Sequence, residues 1–243
     1  MMFKKDNLTV HVSPTRQALG RHAAALVAQY LQVLTAAKSE VNVIFAAAPS
    51  QNEFLAALVA DPEIQWHKIN AFHMDEYIGL PADAPQGFGN FLRTRIFEQV
   101  PFASVHYLGD NIDAYTQLLE LHKPDVVCMG IGENTHIAFN DPPADFLDTA
   151  LVKKVTLDHA CRQQQVNDGC FASIEQVPTH AITLTIPALM QAGAIFCMVP
   201  GPTKRQAVYH TLTEPVSETY PSTILRTHAN AVLFVDEQSY QPI

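Results

Sequence analysis

Residues Gly130-Ile131-Gly132-Glu133-Asn134-Thr135-His136 and Ile137-Ala138-Phe139-Asn140-Asp141-Pro142-Pro143 bring turn-forming glycines, a histidine and two carboxylates into one stretch. A histidine beside a carboxylate can pass a proton in either direction near neutral pH, and glycines let a ligand approach the backbone closely. Such a loop suits proton-transfer chemistry. A second stretch, Ala71-Phe72-His73-Met74-Asp75-Glu76-Tyr77-Ile78-Gly79-Leu80, sets two adjacent carboxylates and a tyrosine after another apolar run. For a lone histidine the blander reading is better, with the glycines shaping a turn and His136 at the surface. Two such loops in one chain favour an active site.

These loops need a scaffold that aims them at a common point. Pro14 with Ser13 as cap predicts a helix over 15–37, and a short apolar run over 41–48 ends at Pro49. Ser50 with Glu53 then reads as a capping box for a helix over 54–59. Further apolar runs predict strands at 68–72, 105–108, 125–129, 181–185, 194–199 and 231–235. Helical runs at 90–99, 112–121 and 203–212 fall between them. Alternation of this kind predicts a three-layer α/β fold, with a mostly parallel, doubly wound, Rossmann-like sheet and helices on both faces. Ligands of such sheets bind beyond the carboxyl ends of the strands. The loops of interest are therefore 49–52, 73–79, 130–143 and 200–204. No internal repeat or interdomain linker is visible, so residues 1–243 are expected to form one domain.

The chain of 243 residues is 48% hydrophobic and carries a formal charge of -9. No Lys/Arg-rich block gives the basic footprint of a nucleic-acid partner. Cys128, Cys161, Cys170 and Cys197 show no C-x-x-C spacing and read as reduced residues of a cytoplasmic protein. There is neither an apolar signal core at the N-terminus nor a run approaching the roughly 18 apolar residues of a membrane span. No histidine/carboxylate spacing reads as a metal site, and neither a Walker motif nor a dinucleotide fingerprint is present. No cofactor is expected.

The two loops resemble those of the glucosamine-6-phosphate deaminase (isomerase) family, whose wider superfamily includes the 6-phosphogluconolactonases. The family's first site loop, approximately F-N-M-D-E-Y-V-G-L, is matched by Phe72 to Leu80. Its second, approximately G-I-G-x-D-G-H-I-A-F-N-E-P, is matched by Gly130 to Pro142, and the I-A-F-N run resembles the deaminase branch more than the lactonase branch. Val177-Pro178-Thr179-His180-Ala181-Ile182-Thr183-Leu184 and Gly201-Pro202-Thr203-Lys204 resemble the family's V-P-x-x-A-L-T strand and its G-x-x-K phosphate segment. The chain also departs from the pattern. Asn134 stands for the family's catalytic aspartate, Thr135 for the next glycine and Asp141 for a glutamate. Ala46 to Asn52 replaces the Gly/Thr-rich phosphate loop. No arginine aligns before the V-P-x-x-A strand, and Arg162 is the nearest upstream substitute.

The resemblance implies conversion of an amino sugar phosphate to a ketose phosphate with loss of ammonia. On that reading Asp75 moves the C2 proton to C1, aided by burial beside Tyr77 and by the charge of Glu76, which raise a carboxyl toward neutrality. His136 serves ring opening and Asp141 orients it. Asn134 can accept a hydrogen bond but brings no full charge to an imidazolium. Lys204 and Gly132, with Ser50 and Gln51 at a second helix start, are expected to hold the substrate and its phosphate, with Arg162 as a further candidate. Two other functions fit the same residues: a 6-phosphogluconolactonase-like hydrolase, which does not need Asp75 as a carbon base, and a non-catalytic sugar-phosphate sensor, kept open by Asn134. A monomer or small homo-oligomer is expected.

Overall fold

The structure is a computed structural model and describes residues 1–242. The described residues form eleven strands and seven α-helices: β1 (Met2–Lys5), β2 (Leu8–Ser13), α1 (Arg16–Ala37), β3 (Val41–Phe45), α2 (Asn52–Val59), β4 (Ile69–His73), β5 (Asp75–Tyr77), α3 (Phe88–Leu92), β6 (Ser104–His106), α4 (Ile112–Leu121), β7 (Val126–Met129), β8 (Val152–Thr156), α5 (His159–Asn167), β9 (His180–Leu184), α6 (Ile186–Met190), β10 (Ala194–Val199), α7 (Arg205–Thr213) and β11 (Ala231–Asp236). Eight strands form one sheet in the order β1-β2-β11-β10-β7-β3-β4-β6, in which only the β1–β2 pair is antiparallel. Buried clusters lie on both faces. One gathers Val27, Leu31, Phe45, Phe54 and Leu55; the other gathers Ile44, Phe72, Val127, Leu189 and Ile195. The sheet is thus covered on each side, as continuous apolar strands require.

The order of the sheet decides where a ligand can sit. From β3 the chain runs outward through β4 and β6, then returns to β7 and runs the other way through β10 and β11. The reversal opens a crevice between the carboxyl ends of β3 and β7, the switch point at which open α/β sheets bind ligands. Phe45 is level with Cys128 on one side and His73 on the other, and Cys197 is level with Met129. The loops after β3, β4, β7 and β10 consequently leave the sheet at one height and converge.

Over that crevice lies a second sheet, antiparallel, in the order β5-β9-β8. The run over 181–185, expected within the parallel sheet, is β9 at the centre of this smaller one. Its residues from Ala181 to Leu184 are all buried, and a continuous apolar run does not reveal which sheet will bury it. Two cap expectations are also overturned. Thr15, not Ser13, caps α1, accepting from the Ala18 N–H at 3.2 Å, while Ser13 ends β2 beside Asp236. The Ser50/Glu53 capping box does not form, because Glu53 pairs with Arg16 at 2.7 Å and a 3-10 turn, Pro49–Gln51, precedes α2. Ser50 is left free to face the crevice.

Candidate active site

Asp75 occupies the junction between the two sheets. The chain leaves β4 at His73 and enters β5 at Asp75, with the Met74 carbonyl accepting from the Leu184 N–H at 3.1 Å. Across the small sheet Asp75 is paired with Thr183. The same Thr183 straps down the second loop, since its Oγ1 accepts from the Phe139 N–H at 3.1 Å. Asn140 adds two bonds, donating to the carbonyls of Ile137 and Leu184 at 2.9 Å each. Thus the Ala-Phe-Asn run ties the histidine loop to the strand next to Asp75, fixing the two side chains relative to each other.

One pocket is lined by Ser50, Asp75, Gly132, His136 and Lys204, brought together from four loops. Burial pushes Asp75 well above the usual carboxylate range, and the charge of Glu76 pushes it further in the same direction. Glu76 itself is turned away. Its oxygens accept the N–H groups of Tyr77, Phe88 and Gly89, so it caps α3 and holds Phe88 in the pocket wall. Phe88 stacks on Phe139 with ring centroids 5.4 Å apart, and Tyr77 packs against both rings.

His136 presents Nε2 to the pocket because Nδ1 is engaged behind it. Asn134 Oδ1 is 2.6 Å from Nδ1 and Asp141 Oδ1 is 3.3 Å away. Two acceptors on Nδ1 place the proton there and leave the Nε2 lone pair free. Burial would raise the Asp141 carboxyl, but His136, Asn134 and the backbone N–H of Asp158 together hold it below its ordinary value. Glu133 points to α5, accepting from Asn167 at 3.1 Å.

The turn beneath the imidazole has no room for a side chain. The Gly132 N–H donates to the His136 carbonyl and the Thr135 N–H to the Gly132 carbonyl, and a Cβ on Gly132 would overlap the His136 ring. Gly132→Ala is expected to displace the ring and to lower kcat by about 10²-fold, the effect of misplacing a catalytic group by an ångström; steady-state kinetics on the folded variant measure it. Thr135 has φ 72° and a buried hydroxyl without a partner. A β-branched residue is strained there. Thr135→Gly should therefore raise unfolding stability by about 1 kcal/mol, after allowing for the added freedom of glycine in the unfolded chain. Urea denaturation reads this directly.

Lys204 precedes α7, is only 4% exposed and makes no ion pair among the described residues. Burial lowers its affinity for its proton, opposed by the charges of Asp168 and Glu133. The preceding Gly201, at φ 94°, is fixed by the Asp236 carboxylate, which accepts its N–H at 3.1 Å. An ammonium without an ion pair at a helix start is a site for an anion.

Two expected binding residues sit elsewhere. Arg162 points away from the pocket, donating to the carbonyls of Ile174 and Val177 at 2.6 and 2.9 Å, and so braces the segment before β9. Gln51 is buried beneath the wall, donating to Ser50 Oγ and the Met198 carbonyl at 3.1 and 3.2 Å. It orients Ser50. Gln164 and Gln165 of α5 also line the pocket, and sequence reasoning missed both. Gln164 accepts the Glu133 N–H at 2.7 Å, tying α5 to the histidine loop. No helix among the described residues is long and apolar enough to cross a membrane.

The sequence pattern of the family described as glucosamine-6-phosphate isomerases/6-phosphogluconolactonase matches residues 14–234. The chain belongs to this family. Among its relatives is a glucosamine-6-phosphate deaminase of Lysinibacillus sphaericus, 32% identical over 76% of this chain and 86% of that one. A Staphylococcus epidermidis protein of the same name is 32% identical over 76% and 79% of the two chains. A monomeric glucosamine-6-phosphate deaminase of known structure superimposes with a TM-score of 0.85 at 25% identity, covering 95% of this chain and 98% of its own. A 6-phosphogluconolactonase from Shewanella baltica shares the fold at a TM-score of 0.76, 18% identity and coverage of 93% and 97%. The family is one of enzymes.

Proposed function

We propose that this chain is a deaminating aldose-ketose isomerase that converts glucosamine 6-phosphate and water to fructose 6-phosphate and ammonia. The carrying observation is a buried Asp75 carboxylate facing the same pocket as His136 and Lys204. The deaminase names of its relatives support the same substrate class.

Lys204 and the backbone at the start of α7 hold the phosphate, with Ser50 contributing a hydroxyl. His136 Nε2 takes the proton of the C1 hydroxyl and returns one to the ring oxygen, opening the pyranose. Asp75 then removes the proton from C2 while the C1 carbonyl oxygen takes one from solvent, leaving an enolamine, and delivers a proton to C1, leaving an iminium at C2. Water adds at C2, ammonia leaves, and the ketone remains. A base for this task must be strong enough to take a carbon-bound proton, and burial together with the charge of Glu76 raises the basicity of Asp75 in that direction. Asn134 and Asp141 both offer acceptors to Nδ1, which favours the tautomer that turns the Nε2 lone pair to the pocket. The reading includes one domain acting in the cytoplasm, without a cofactor, as a monomer or small homo-oligomer.

Running the reaction in D2O tests it. Fructose 6-phosphate formed from glucosamine 6-phosphate should carry deuterium at C1, seen by NMR, because the Asp75 proton exchanges with solvent between abstraction and delivery. Hydrolysis of 6-phosphogluconolactone with the C2 hydrogen of the amino sugar untouched would replace this reading with the lactonase one.

A further inference from the structure

Behind His136, on the face away from the pocket, a third element joins the Asp141 side chain. Cys161 of α5 is fully buried, and its thiol lies with His136 and Asp141 in a group whose ligand atoms are all within 4.8 Å of one another. His136 Nδ1 and Asp141 Oδ1 are already 3.3 Å apart. Ligand atoms around a tetrahedral Zn2+, bound at about 2.0–2.3 Å, are separated by roughly 3.3–3.8 Å, so small side-chain shifts complete the geometry. One nitrogen, one carboxylate and one thiolate form a donor set that suits Zn2+ or Co2+ and disfavours Mg2+ and Ca2+. The two anionic ligands neutralise a divalent ion.

We infer that His136 Nδ1, Asp141 and Cys161 form an inhibitory site for a thiophilic divalent cation of the zinc class. Approach is from the Asp158 side. Asp158 is exposed, its Oδ2 is 3.5 Å from Asn134 Nδ2, and its Oδ1 accepts the Cys161 N–H at 2.6 Å. Water takes the fourth position. On binding, the Cys161 S–H bond breaks and its proton leaves to solvent while the sulfur–metal bond forms. The Nδ1 lone pair becomes the nitrogen–metal bond, and the ring's single proton moves to Nε2. The imidazole then shows the pocket an N–H instead of a lone pair and cannot accept the C1 hydroxyl proton. Binding does not depend on the reaction; the inhibition rests on the role proposed above for His136. Cys161 has no part in that reaction, so its replacement should spare turnover without metal.

Co2+ provides a readout independent of activity, because a cysteine thiolate bound to it absorbs in the near ultraviolet. The charge-transfer band is expected in the wild type and in Cys170→Ser, and absent from Cys161→Ser and Cys161→Ala. Zn2+ should inhibit ammonia release reversibly on addition of EDTA. The zinc concentration required should rise in the Cys161 variants by more than the about 10-fold that loss of an outer-shell partner brings. Absence of the band from the folded wild type, the same band in both Cys161 variants, or a band with undiminished turnover would overturn the proposal. Should the wild type release no ammonia at all, the deaminase reading fails while the cobalt band still decides the site.

Discussion

Asp75→Asn is expected to lower kcat for ammonia release by about 10³-fold, within the range that positioned general bases contribute. The amide has the size and nearly the shape of the carboxyl, so loss of substrate contacts is small and KM should change little. Stability should move the other way. Asp75 has a folded-state pKa above its unfolded value, so its favourable contribution exists below the unfolded value and is lost as pH rises through the folded one. Above the unfolded value that contribution declines as pH rises, and the amide, which does not titrate, escapes the decline. A higher Tm for Asp75→Asn at neutral pH, with the difference vanishing in acid, is the expected pattern. A functional group buried against its own solvation behaves in this way. In the wild type, kcat should fall on the acid side through a pKa above the ordinary carboxylate range.

Lys204→Met should reduce kcat/KM by about 10²- to 10³-fold, the effect of losing a desolvated, charge-assisted contact of about 3–4 kcal/mol. Most of the loss is expected in KM, because the phosphate lies far from the reacting carbons and contributes to binding throughout. Here too the variant should melt higher. Burial lowers the lysine's pKa, so its charged form opposes folding at every pH below its ordinary value, and methionine fills the same volume without a charge. Inorganic phosphate should raise the Tm of the wild type and leave that of Lys204→Met unchanged. Thermal scans with and without phosphate measure both effects.

The central strands were legible because β7 and β10 are continuous apolar runs and β3, β4 and β11 are predominantly apolar, and the loops that follow them could be read directly. The residues that line the pocket from those loops, Ser50, Asp75, Gly132, His136 and Lys204, were named from their types and positions together with the family resemblance. Helix α5 was not legible. It buries Cys161, Gln164 and Gln165 rather than an apolar stripe, so it carries no helical hydrophobic signal, and its two glutamines in the pocket wall went unseen. Arg162 shows the limit of another signal. Its charge suggested an anion site, but direction is set by tertiary partners, and the carbonyls of Ile174 and Val177 claim it. The Ser50/Glu53 motif failed for a similar reason, since an ion pair from the distant Arg16 outcompetes the local cap. Assignment of β9 to the smaller sheet depends on the register with Asp75 and Lys153, which no local pattern encodes.

Ammonia release by the wild-type protein from glucosamine 6-phosphate, with galactosamine 6-phosphate and 6-phosphogluconolactone offered alongside, tests the central claim most directly. The account predicts ammonia and fructose 6-phosphate in equal amounts from glucosamine 6-phosphate. A folded protein that releases no ammonia from either amino sugar, yet hydrolyses the lactone or only binds these phosphates, would contradict it.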